Sequence, residues 1–141
     1  FLMRKEDVQR QWYHMDATDQ ILGRLAVQVA RILMGKVRPT YTPGVDSGDF
    51  VVVTHASKVR VTGKKETDKV YRRHTGYVGG LVEESLATIR AKKPEQIIEL
   101  AVRRMLPKTT LGKQMFRRLK VYADGQHPHE AQTPKTITVT G

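Results

Sequence analysis

Cysteine is absent from this 141-residue chain. That excludes disulfides, thiolate metal sites and a cysteine nucleophile, and it fits a reducing compartment. No apolar run approaches the roughly 18 to 20 residues that cross a bilayer as a helix. The opening FLMRKEDVQRQW mixes charges of both signs around no apolar core, which speaks against a signal peptide. No internal repeat and no long linker divides the sequence, so its length predicts one domain with a sizeable core. Acids are also missing from one long stretch: residues 100–123 hold seven Lys or Arg and no Asp or Glu.

What is present is positive charge. Lys and Arg number 25 against 14 Asp and Glu, a formal net charge of +11. This balance says little about fold, but it selects polyanionic partners: nucleic acid, an anionic surface or an acidic protein. The acid-free stretch is not a low-complexity tail. Leucines, methionines, Phe116 and Tyr122 are threaded through it at structural spacing, so its charge belongs to folded elements.

Periodicity supplies the elements. Residues 12–17 (WYHMDA) read as a first strand. Leu22, Leu25, Ala26, Val29, Ala30 and Leu33 fall at helical intervals on one face of a helix over 22–35. Asp19 is its expected N-cap, and Gly35 followed by Pro39 its stop. The run FVVVTHA at 50–56 is β-branched and continuously apolar, as in a parallel strand buried on both faces. Together these form a right-handed βαβ unit. Val59 and Val61 alternate with polar neighbours and predict a short strand. Residues 63–82 read as a basic, glycine-punctuated excursion, and 83–92 and 94–106 as two helices. Ile97, Ile98, Ala101, Val102 and Met105 form the buried stripe of the second. The i+4 spacing of Leu111, Met115 and Leu119 predicts a further helix, and KVYA at 120–123 a last strand. The organisation expected is a loosely held arm at 1–11, a single α/β RNA-binding domain at 12–123 and an extended tail at 124–141.

Catalytic and metal chemistry find little support. Asp46 and Asp49 are paired carboxylates, yet Asp-Ser-Gly-Asp is ordinary turn chemistry. His127 and His129 flank a proline without further ligands close in sequence, a poor metal set. The first strand-to-helix turn, DATDQILGR, has one glycine and matches no phosphate-binding fingerprint. The segment 69–80 is more informative. Arg72, Arg73 and His74 are interleaved there with Tyr71 and Tyr77 among three glycines. Guanidinium groups pair with phosphates and stack on bases, and tyrosines offer stacking faces.

Four segments carry a resemblance: DA at 16–17 with LGRLA at 22–26; YTP at 41–43 with DSGDFVVV at 46–53; RHTGY at 73–77 with GG at 79–80; and MLPKTTLGKQMFRRLKVYA at 105–123 with HPH at 127–129. On these the chain resembles the bacterial form of the universal large-subunit ribosomal protein family numbered thirteen. It departs from the family pattern at Gly44, Val78 and Arg104, where His, Pro and Gly are usual. The resemblance implies a three-layer α/β domain, with helices flanking a central, mainly parallel β-sheet. It also implies early assembly onto large-subunit ribosomal RNA.

The reading that results is a structural constituent of the large ribosomal subunit, without catalysis of its own. One RNA-facing region is expected from Lys58, Arg60, Lys64, Lys65, Lys69, Arg72, Arg73 and His74 with Thr75, Gly76 and Tyr77. A second is expected from Arg103, Arg104, Lys108, Lys113, Arg117, Arg118 and Lys120. The expected partners are large-subunit ribosomal RNA and neighbouring ribosomal proteins. No membrane, small-molecule substrate, cofactor or metal is expected, and the implied place is the ribosome, in the cytoplasm or in an organelle. The alternatives are an α/β enzyme acting on nucleotides or RNA through Asp16, Asp46 and Asp49, and a free RNA-binding regulator.

The periodicity generates a stability prediction. Replacing Ile98 or Val29 with Asp leaves a buried, unpaired charge. Either variant is expected to lose the native cooperative melting transition followed by circular dichroism. Replacing Arg117 and Arg118 with Glu is expected, on sequence alone, to spare the fold.

Overall fold

The computed structural model describes residues 2–138. Its centre is a four-stranded, wholly parallel sheet. β1 (Trp12–Asp16) and β2 (Phe50–Thr54) lie side by side, joined by α1 (Leu22–Met34) in the expected βαβ arrangement. β5 (Leu119–Val121) flanks β2, and β6 (Lys135–Thr136) flanks β1. A separate antiparallel hairpin is formed by β3 (Val70–His74) and β4 (Leu81–Ser85). The helices α2 (Lys65–Asp68), α3 (Leu86–Lys92), α4 (Glu95–Met105) and α5 (Thr110–Phe116) complete the molecule, an α/β fold with helices flanking a parallel sheet.

Strand alternation sorts the sheet's two faces. Tyr13, Val51 and Leu119 stand in register on one face, as do Met15, Val53 and Val121. This face packs with Leu25, Val29 and Leu33 of α1, Ile97, Ile98 and Val102 of α4, and Met115 of α5 in one apolar core. Trp12, His14, Phe50, Val52 and Lys120 point the other way. There the Trp12 and Phe50 rings stack at 4.3 Å, and His129 from the C-terminal segment lies 5.1 Å from Trp12.

Several boundaries move from their expected places. Asp19 does not cap α1. It sits at φ 56°, and α1 begins after Ile21, which makes no side-chain cap. The cause is a parallel bridge between Ile21 and Arg60, reinforced by the Asp19 N–H donating to the Lys58 carbonyl at 3.1 Å. That bridge is also all that forms of the strand expected at Val59 and Val61. The helix expected over 83–92 starts at Leu86, because Glu83 and Glu84 pair across the hairpin with Arg72 and Tyr71. Ser85 then caps α3 by accepting from the Thr88 N–H at 3.3 Å. Met105 is 41% exposed and leaves the α4 stripe, its place inside taken by Leu106 where the chain turns out of the helix. Leu119 belongs to β5 rather than α5. Gly35 ends α1 as expected, at φ 82° with its N–H on the Arg31 and Ile32 carbonyls.

The flanking segments touch the sheet and its loops. Met3 is buried and donates its N–H to Thr42 Oγ1 at 3.0 Å, while Gln11 N–H donates to Asp49 Oδ1 at 2.9 Å. At the other end, the Ile137 N–H donates to the His14 carbonyl at 2.9 Å. Residues 139–141 of the expected tail lie outside the described residues.

The C-terminal segment meets the sheet through histidines. His14 Nε2 bonds Thr54 Oγ1 at 2.8 Å, its ring lies 5.7 Å from that of His127, and His129 Nε2 bonds the Tyr122 hydroxyl at 2.7 Å. Burial, and after it the neighbouring His127, hold His14 and His129 below the ordinary histidine value of 6.5. Each therefore takes its proton less readily folded than unfolded. Stability is lost as pH falls through 6.5 toward the lowered folded values. The Ile137 amide is expected to exchange faster, relative to its intrinsic rate, below pH 6.5 than above it. Hydrogen exchange by NMR measures this, and His14→Gln with His129→Gln should flatten the dependence.

Candidate nucleic-acid interface

The β3–β4 hairpin projects its tip into solvent. Gly76 and Gly79 take positive φ, 90° and 71°, and the Gly80 N–H closes the loop on the Tyr77 carbonyl at 2.9 Å. A side chain at Gly80 would collide with Thr75 Oγ1, 2.0 Å from the position of a Cβ. Tyr77 is 80% exposed and Val78 fully so, with Arg72, Arg73 and His74 exposed on the strand behind them. Arg72 pairs with Glu83 at 3.1 Å and Arg73 with Glu84 at 4.0 Å, both in solvent, where such pairs contribute little. Tyr71 turns the other way. It is buried, its hydroxyl finds no partner among the described residues, and burial pushes its pKa up. Tyr71 is thus a wall of the structure rather than a free stacking face.

The two basic regions expected separately meet on one face. A groove of about 260 Å³ runs between β3 and α4, lined by Tyr71, Arg72, Arg73, Arg103, Arg104 and the half-buried Glu99. A second, of about 600 Å³, continues between α4 and α5 and is edged by Arg103, Arg104, Lys108, Lys113 and Arg117. A third joins Arg104 to Lys65 and Lys69, beside which Lys64 also stands. Arg104 is the common member. Its guanidinium lies 5.9 Å from the Tyr71 ring centre, and the Lys69 ammonium 5.3 Å from the same ring. Burial, then the charges of Lys65 and Arg104, push the Lys69 pKa down. Mutually repelling cations held together on a folded surface form a ready site for anions, which relieve the repulsion on binding. Glu99 is an acid within this basic lining, and burial, then Glu95, push its carboxyl pKa up.

Other expected residues do not join this face. Lys58 and Arg60 are exposed but line none of these grooves. Lys120 sits in register with Val52, on the face of the sheet turned away from α4 and α5. Arg118 is a correction. Its side chain is 7% exposed, Nη1 donates to Asp46 Oδ2 at 2.6 Å, and Nη2 donates to the Leu33 carbonyl at 2.7 Å. Adjacent arginines on a tightening turn point apart: Arg117 faces the groove, while Arg118 is drawn inward by a carboxylate. What sequence reasoning missed was the groove's floor, made by Leu100, Leu106, Pro107 and Phe116. The apolar residues threaded through the basic stretch were its signal.

The acids considered for catalysis do not converge. Asp16 ends β1 and accepts from the Thr18 N–H and hydroxyl. Asp49 lies just before β2, at the opposite end of the parallel sheet, and is paired with Arg38. Asp46 is paired with Arg118. Among the described residues, no group of three or more His, Asp or Glu could hold a metal ion, and no helix is long and apolar enough to cross a membrane.

Comparison with known proteins then decides the family. The model of the family described as Ribosomal protein L13 matches residues 10–128. The chain belongs to this ribosomal protein family. A relative from Solibacter usitatus, named large ribosomal subunit protein uL13, is 57% identical over 135 residues, covering 96% of this chain and 94% of its own. Relatives of the same name from a Cyanothece species and from Alcanivorax borkumensis are 53% and 55% identical, each over more than nine-tenths of both chains. These relatives are named as ribosomal proteins, not as enzymes.

The adjacent arginines generate opposite predictions. Arg118→Ala leaves the Asp46 carboxylate and the Leu33 carbonyl without their donor, and should cost about 3–5 kcal/mol in chemical denaturation. Arg117→Ala should shift stability by less than about 0.5 kcal/mol, as exposed substitutions do.

Proposed function

We propose that this protein is a structural constituent of the large ribosomal subunit, which it joins early by binding large-subunit ribosomal RNA through the face shared by β3, α4 and α5. The observation that carries the reading is the crowding of Lys65, Lys69, Arg103 and Arg104 around Tyr71, with cations continuing along α5 and the hairpin. The family supports it, since its members bear the name of a large-subunit ribosomal protein. The contacts in this reading go mainly to phosphate and sugar. Arg and Lys displace counterions there and hold the fold of the RNA rather than reading its sequence. Tyr77 and Val78, exposed at the hairpin tip, meet the RNA at close range. Lys58, Arg60 and Lys120 lie outside the grooves and serve as secondary contacts, to RNA or to neighbouring ribosomal proteins. The place of action is the ribosome.

Binding of the purified chain to large-subunit ribosomal RNA fragments, across a salt series and against an unrelated structured RNA, tests the reading. One fragment is expected to be preferred at every salt concentration, with affinity falling log-linearly as salt rises. Charge removal at Arg103, Arg104 and Arg117 together should weaken binding and flatten the salt slope by about one unit for each phosphate no longer neutralised. Equal, salt-labile binding to all RNAs would overturn the specific site.

A further inference from the structure

Phosphate neutralisation explains the rim of the groove between α4 and α5 but not its floor. The groove's volume of about 600 Å³ is that of a small-molecule site. Half-buried Leu100 and Phe116 and the buried Leu106 line it together with Arg103, Lys113 and Arg117. The sugar–phosphate backbone of a continuous duplex offers this floor no apolar face. A base turned out of its stack offers a planar apolar face tethered to phosphates on either side. We propose that this groove seats an unpaired nucleotide of the bound RNA, with its base against Phe116 and the adjoining phosphates on Arg103 and Arg117. The proposal rests on the RNA-binding reading above and adds to it a defined subsite.

Two further observations favour an RNA over an acidic peptide as the occupant. Cations continue past the groove, beyond Arg104 to Arg72 on β3 and to Lys65 and Lys69, so the electrostatic track is longer than the groove itself. A polynucleotide uses such a track along its whole backbone. The adjoining wall between β3 and α4 also carries Gln96 and Glu99, whose side chains can address the edge of a base. An aromatic floor with arginines at its edge is the combination that binds single-stranded nucleic acid by stacking and charge together.

The test uses the full chain and two RNA hairpins of equal length. One is fully paired, and the other carries a single bulged 2-aminopurine. The bulged hairpin is expected to bind about tenfold more tightly, and its fluorescence should change on binding, whereas 2-aminopurine at a paired position should not respond. Phe116→Leu should remove the preference for the bulged hairpin. Because Phe116 also packs against the core, Arg117→Glu provides a second variant on an exposed side chain, and it too should lower the preference. Equal affinity for both hairpins, without a fluorescence change, would overturn the subsite and leave the RNA-binding reading standing. Failure to bind either hairpin would also overturn the subsite, while the RNA-binding reading is decided by the ribosomal RNA fragments. A glutamate- and leucine-rich peptide that displaces the bulged hairpin at lower concentration than competitor RNA would make the groove a peptide site and defeat the proposal.

Discussion

The turn from Asp46 to Asp49 is the constraint on which the sheet depends. Three arginines from distant parts of the chain converge on it. Arg10 donates to the Asp46 and Gly48 carbonyls, Arg38 pairs with the fully buried Asp49, and Arg118 grips Asp46 from the start of β5. Gly48 passes so close to α1 that a Cβ there would lie 1.7 Å from the Leu33 carbonyl oxygen, and Arg118 donates to that same oxygen. Burying charges is costly unless each finds its partner, so this cluster tolerates one arrangement and penalises others steeply. It fixes where β2 starts, and through Phe50 and Val51 it fixes the register of β2 with both of its neighbours.

With the sheet held in this way, charge elsewhere is free for the binding role proposed for it. α4 and α5 turn their apolar sides inward, to Ile97, Ile98, Val102 and Met115, and present arginine and lysine outward. The two tasks occupy opposite faces of the same helices. The exposed cations contribute little to stability, because water screens them. For the same reason they can crowd together without unfolding the protein.

The βαβ frame was legible in the sequence because each part carried a strong local signal: the α1 stripe, the β-branched run of β2 and the Gly35 stop. The basic face was legible as two charge clusters, but their union was not. It depends on β3 lying beside α4, a contact between segments some thirty residues apart for which no local pattern exists. The β3–β4 hairpin is divided in the sequence between the excursion at 63–82 and the start of the helix expected at 83–92, because its strands are short and bury only Tyr71, so alternation has no buried face to mark it. Arg118 was misread for a related reason. Charge in a sequence says nothing of where the counter-charge lies, and Asp46 is 72 residues away. Arg90 is a similar case: it pairs bidentately with Glu66 and also donates to the Ser57 and Val59 carbonyls, tying α3 to a loop that sequence patterning treated separately.

The short strand β6 has a consequence beyond holding down the C-terminal segment. Two residues, Lys135 and Thr136, pair with β1 along a margin of the parallel sheet that would otherwise present open backbone donors and acceptors. An open margin is a template on which a second chain can add its own strand. By occupying it with a lysine-bearing stub of two residues, the protein blunts that margin of the sheet against self-association. That small piece of pairing leaves a second chain less open backbone to build on.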